Sequence, residues 1–246
     1  MENTEMHGCV AVVTGGSRGI GLSITTELIS LGVNVVICGR SQESLEQARN
    51  QVLNRNDKSS RHGRLKIIRA DISDASQARN VIEQSEKMFG QLDILINNAG
   101  VRQFENITDL SLDAWREIIG TNLDGPFFCC RAAIPIIRRS KMGWIINVSS
   151  LAGSHPFPKG SAYCASKAAV NALTEVLMQE VRNENIRVTC IAPGSVDTSD
   201  AKSKISSPED WKLSSSDVAK VVVDMLLHHP RSLTSRIEIR PSRPRT

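Results

Sequence analysis

Short runs rich in valine and isoleucine recur along this chain with longer amphipathic segments between them, an alternation that few folds can satisfy. CVAVVT (9–14) precedes GIGLSITTELISLG (19–32), and VNVVICG (33–39) precedes SQESLEQARNQVLNR (41–55). LKIIRA (65–70), LDILIN (92–97), WIINVSS (144–150) and IRVTCIAP (186–193) continue the series, and RIEIRP (236–241) supplies a seventh strand. The segments 75–90, 121–139, 162–185 and 214–230 carry apolar residues three and four apart, the spacing of one helix face. A β–α–β–α order of this kind predicts an α/β fold: one Rossmann-like domain whose seven-stranded parallel sheet has helices on both faces. Right-handed crossovers restrict the topology further, and ligands in such sheets sit at the carboxyl edge of the strands.

A length of 246 residues suits one such domain, and a composition of 40% hydrophobic and 23% charged residues lies near the average for globular proteins. No apolar run reaches the roughly 20 residues of a membrane-spanning helix, and MENTEMHG lacks the marks of a signal peptide, so the expectation is a cytoplasmic protein without membrane attachment. Cys9, Cys38, Cys129, Cys130, Cys164 and Cys190 are scattered without a CxxC pair, as buried thiols in a reducing compartment would be. The histidines are equally dispersed, which predicts no metal site. A net charge of +4 without a basic stripe argues against a nucleic-acid partner.

The first strand runs into TGGSRGIG (14–21), where Gly15, Gly19 and Gly21 allow a tight turn and let a phosphate approach the following helix N-terminus. Alone, this turn is common to many unrelated proteins. The single tyrosine, Tyr163, stands four residues before Lys167, one turn away on the same helix face. At about 4 Å and an effective dielectric near 20, such an ammonium contributes a gross Coulomb term of about 4 kcal/mol favouring the phenolate, before desolvation is subtracted.

TGGSRGIG, NNAG (97–100), TNLDG around Asn122, NVSS, YCASK and PGSVDT (193–198) together resemble, in order and spacing, the short-chain dehydrogenase/reductase family from residue 9 to about 198. The resemblance implies a nicotinamide dinucleotide held by Gly15, Ser17, Arg18, Gly19, Ile20, Gly21, Asp71, Ile72, Asn98, Ala99, Gly100, Tyr163, Lys167, Pro193, Gly194, Val196 and Thr198. Asp71 would meet the adenine and Asn98 its ribose. The second strand ends in Gly39 and Arg40 rather than a carboxylate, and Arg40 with Arg18 predicts NADP(H), whose 2′-phosphate suits guanidinium forks. By the same resemblance Ser150, thirteen residues before Tyr163, polarises a small-molecule carbonyl substrate, Tyr163 donates the proton, and Lys167 holds the nicotinamide ribose. Asn122 would anchor a water for proton resupply. Ser149 remains an alternative to Ser150, and a helix N-cap an alternative role for Asn122.

The polar stretch 199–213 is expected to form a short substrate lid containing Trp211, with His155 and Phe157 as further candidates for the pocket wall. The tail 241–246 lacks the glycine-rich ending of many relatives, which argues against the tetramer contacts they build near the last strand; a homodimer or homotetramer is still the expected assembly. Two functions follow from different classes: an NADPH-dependent reductase of ketones or aldehydes, or a catalytically idle NADPH-binding sensor or scaffold.

Overall fold

The computed structural model describes residues 6–55, 62–198 and 211–243. The chain alternates strands and helices in the order β1 (Val10–Thr14), α1 (Gly19–Ser30), β2 (Asn34–Gly39), α2 (Gln42–Arg55), β3 (Leu65–Arg69), α3 (Ala75–Phe89) and β4 (Ile94–Asn97). It continues with α4 (Leu112–Ile119), α5 (Gly125–Ile137), β5 (Gly143–Val148), α6 (Ser161–Val181), β6 (Ile186–Pro193), β7 (Val196–Asp197), β8 (Leu213–Ser214), α7 (Ser215–Leu226) and β9 (Arg236–Ile239). Seven strands form one parallel sheet in the order β3-β2-β1-β4-β5-β6-β9, and β7 and β8 pair separately. All seven expected strands are present, and the fold is the anticipated single Rossmann-like domain.

Alternation within each strand builds two cores from one sheet. Ala11, Val13, Val35, Ile37, Ile94 and Ile96 pack under α1, α2 and α7. Val10, Val12, Val36, Cys38, Leu95 and Ile145 face the opposite way, under α3, α5 and α6. Burial on both faces explains why these strands read as unbroken apolar runs instead of alternating polar and apolar residues.

Local chemistry sets several helix ends. Asp74 caps α3 by accepting from the Ser76 and Gln77 backbone N–H groups at 2.8 and 3.0 Å, and Gly90 closes it at φ +81°. Ser214 and Asp217 form a reciprocal capping box that starts α7.

The region before β5 departs from the sequence expectation. Helix α4 was not anticipated, and the predicted segment 121–139 opens in a π-helical turn, Gly120–Asp124, joining α4 to α5 without a break. Most of the anticipated lid, residues 199–210, lies outside the described residues, as do 244–246 of the tail. No helix among the described residues is long and apolar enough to cross a membrane.

Candidate active site

Strand order reverses direction between β1 and β4, so the crevice beyond their carboxyl ends is open to a ligand. The glycine turn and NNAG meet there. Thr14 Oγ1 accepts from the Asn98 and Ala99 N–H groups at 3.0 and 3.1 Å, while the Asn98 amide donates to the Thr14 and Gly15 carbonyl oxygens at 3.0 and 3.1 Å. Asn98 therefore ties the two loops together with its amide donors. A Cβ on Gly15 would come within 2.8 Å of Ala99 Cα, and one on Gly21 within 2.4 Å of Asn98 Nδ2, so neither position has room for a side chain. Gly15 and Gly19 also sit at φ +64° and +53°.

Helix α1 begins at this turn with its donors unspent. Arg18, its N-cap, has extended backbone and makes no side-chain cap, and the first turn holds no acidic residue. The N–H groups of Gly19, Ile20 and Gly21 and the positive end of the helix dipole thus fit an anionic pyrophosphate. Ser17 lies beside the end of β2, and Thr198, after β7, packs over Gly19. Gly194 donates to Ile239 at 2.8 Å, which fastens the Pro193–Val196 segment to the last strand.

At the far end of the crevice Asp71 accepts from Ser73 N–H and Oγ at 3.0 and 2.7 Å, a strand-end turn. Ile72 is buried against Gly125, where a Cβ would lie 2.6 Å from Ile72 Cδ1. Arg40, just past β2, pairs with Glu117 of α4 at 2.7 Å.

The two serines after β5 separate by orientation. Ser149 is buried; its hydroxyl donates to Asn171 Oδ1 at 2.6 Å, with the Lys167 carbonyl oxygen 3.1 Å away. Ser150 is half-buried, accepts from Ala152 N–H at 3.2 Å, and holds its proton only in a long 3.5 Å contact with the Pro193 carbonyl. The Ser149 proton is thus spent on Asn171, whereas that of Ser150 has only the long contact to Pro193 among the described residues.

Lys167 is fully inside the protein, 5% exposed, and donates to the Val148 carbonyl at 2.9 Å. Burial lowers its pKa from 10.5 to about 8. Its Nζ lies 6.0 Å from the centroid of the half-buried Tyr163 ring. Asn122, in the π-helical turn, is no cap: the backbone is helical on both sides of that turn. Its Oδ1 accepts from Val101 N–H at 2.8 Å, and its Nδ2 donates to the Val101 carbonyl at 2.9 Å and to Ser166 Oγ at 3.0 Å. A Cβ on Gly100 would sit 3.3 Å from Asn122 Oδ1 and 3.6 Å from Lys167 Nζ, so the bare backbone there leaves room between the carboxamide and the ammonium.

Phe104 is a site residue that the sequence did not single out. Its ring stands edge-on to Tyr163 at 5.7 Å and to Phe157 at 5.3 Å, making an apolar wall beside the phenol. Of the other suggested wall residues, His155 Nε2 meets Arg240 Nη2 at 3.0 Å and is drawn toward the tail, and Trp211 follows the undescribed segment.

A doubly wound parallel sheet with a glycine turn at its switch point, and a Tyr-x-x-x-Lys helix beside it, defines a Rossmann-like oxidoreductase architecture. The family model for short chain dehydrogenases matches residues 9–209, and the chain belongs to that family. An uncharacterized oxidoreductase of Staphylococcus saprophyticus is 32% identical over 241 residues, 96% of this chain and 99% of that protein. One from Staphylococcus aureus is 34% identical over 233 residues, 94% of this chain and 96% of the other. Among solved structures, a metagenomic short-chain oxidoreductase in complex with NADP shares 31% identity at a TM-score of 0.83, covering 97% of this chain and 99% of its own. An alcohol dehydrogenase from the archaeon Thermococcus sibiricus, complexed with 5-hydroxy-NADP, shares 26% identity at a TM-score of 0.85 with the same coverage.

Proposed function

We propose that this chain is an NADP(H)-dependent reductase of ketones or aldehydes, able to run in reverse on the corresponding alcohol. The observation that carries the reading is a buried ammonium, Lys167, held beside the only phenol in the chain. Burying that charge costs several kcal/mol, which its hydrogen bond to the Val148 carbonyl offsets only in part, so a role in binding or chemistry accounts for it better than stability does.

The residues fit the cofactor in three places. The uncapped start of α1 and the glycine turn suit the pyrophosphate. Arg40 and Arg18 suit the 2′-phosphate, in keeping with the NADP-type ligands of the two structural relatives. Lys167, beside the open space at Gly100, suits the nicotinamide ribose. When bound, the cofactor supplies the hydride that reaches the carbonyl carbon.

The chain's own residues handle the oxygen and the proton. Ser150 donates a hydrogen bond to the carbonyl oxygen as negative charge gathers there. Tyr163 gives that oxygen its proton, and the ketone becomes a secondary alcohol or the aldehyde a primary one. The Lys167 ammonium stabilises the charge left on the phenol oxygen. Asn122, fixed by both Val101 backbone groups, borders the space where a water can return a proton toward Lys167.

The test is NADPH oxidation followed by absorbance across ketones, aldehydes and acyl thioesters, with Tyr163→Phe alongside. We expect turnover of at least one class and a loss of about a hundredfold or more in the variant, the usual scale for removing a general acid. Equal rates in the two proteins would refute the proton-donor role, and intact NADPH binding without turnover would favour the sensor reading.

A further inference from the structure

We propose that Glu117 is a specificity-determining residue that competes with the cofactor's 2′-phosphate for Arg40 and so weakens the chain's preference for NADPH over NADH. The proposal rests on the NADP(H) reading of the site. Arg40 is the first residue after β2, and its backbone is steadied by Arg69, whose Nε donates to the Arg40 carbonyl at 3.1 Å. Its Nη1 lies 2.7 Å from Glu117 Oε1, and both side chains are 53% exposed. Glu117 comes from α4, so the pair ties the carboxyl end of β2 to that helix, and Asp71, just after β3, also acts on the Arg40 charge. That is the end of the crevice where the adenosine half of a dinucleotide fits.

A guanidinium has five N–H donors and can serve two acceptors. A phosphate carrying nearly two negative charges would then share the fork with a carboxylate, and the two anions repel across it. Either Glu117 leaves, giving up its charge-assisted bond, or it stays and the phosphate binds against it. Both outcomes penalise the 2′-phosphate. The neutral 2′-hydroxyl of NADH meets no such penalty and can itself donate to a carboxylate.

The experiment titrates the protein with NADPH and with NADH, without substrate, by the change in cofactor fluorescence. Wild type is compared with Glu117→Gln, which keeps the shape and removes the charge, and with Arg40→Ala and the double variant. We expect Glu117→Gln to tighten NADPH about threefold, equivalent to about 0.7 kcal/mol and within the range for an exposed ion pair, and to leave NADH unchanged or weaker. The gain should shrink in the Arg40→Ala background, because the two side chains are coupled, and the NADPH effect should diminish with added salt. Equal changes for both dinucleotides would mark a merely structural role, an unchanged or weaker NADPH affinity would refute the competition, and an undiminished gain without Arg40 would reduce it to general repulsion. Failure of wild type to bind NADPH overturns the site reading as well. Cofactor binding with no turnover of any carbonyl overturns the reductase reading alone, because the titration does not depend on catalysis.

Discussion

At the scale of single residues, Lys167 links stability to activity. Its pKa falls from 10.5 to about 8 because burial penalises the charged form. The native state therefore binds its proton less tightly than the unfolded chain, and the cost is fully present below about pH 8 and disappears as pH rises toward 10.5. That interval corresponds to about 3 kcal/mol, from which the hydrogen bond to Val148 and the carbonyl it would orphan must be subtracted. Lys167→Met should accordingly melt about 2–4 °C higher than wild type at pH 7 without cofactor, a net gain near 1 kcal/mol, while turnover is lost. A lower melting point for the variant would contradict the assignment of strain to the buried charge. In the wild type, kcat/KM for reduction should decline as pH rises through about 8, where Lys167 discharges. A flat profile to pH 9.5 would show that the ammonium is dispensable.

At the scale of elements, the turn between α4 and α5 does what neither helix could do alone. A π-helical turn inserts an extra residue per turn and redirects a side chain, here Asn122, toward the Gly100–Val101 backbone. Gly100→Ala probes this junction. The backbone there has no positive φ, so the fold should persist, but the new methyl group would press on Asn122 Oδ1 while meeting Lys167 Nζ at ordinary contact distance. We expect unchanged thermal stability within about 1 kcal/mol and at least about tenfold lower kcat, as for other disturbances of proton transfer. Full activity would remove Asn122 from the proton route. Helix α4 itself escaped the sequence reading because Leu112, Trp115, Ile118 and Ile119 do not make a long periodic stripe: the helix has eight residues, and Leu112 is 71% exposed.

At the scale of the whole molecule, some of the exposed apolar groups lie on neighbouring helices. Leu112 of α4 and Val176 of α6 are mostly exposed, Trp115 of α4 and Phe127 of α5 partly so, and α4 packs against α6. Side chains of this kind favour burial against a second copy. Light scattering should therefore return two or four chains per particle, and a monomer at micromolar concentration would refute the expectation.

Much of this architecture was legible from local pattern. The runs of Val and Ile predict the strands because burial on both sheet faces leaves no polar position to interrupt them, and Tyr163 and Lys167 share a face because helical geometry alone puts residues four apart together. Only packing could distinguish the surroundings of Ser149 and Ser150, since adjacent residues leaving a strand point opposite ways and Ser149 meets Asn171, twenty-two residues away. Only packing could bring Glu117 to Arg40, seventy-seven residues apart, or Phe104 to Tyr163. The sequence by itself determined which segments are buried and where the chain turns, because periodicity and glycine chemistry act over a few residues. The tertiary structure decided which polar side chains border the crevice and which are spent on one another, because those partners are chosen by how the segments pack.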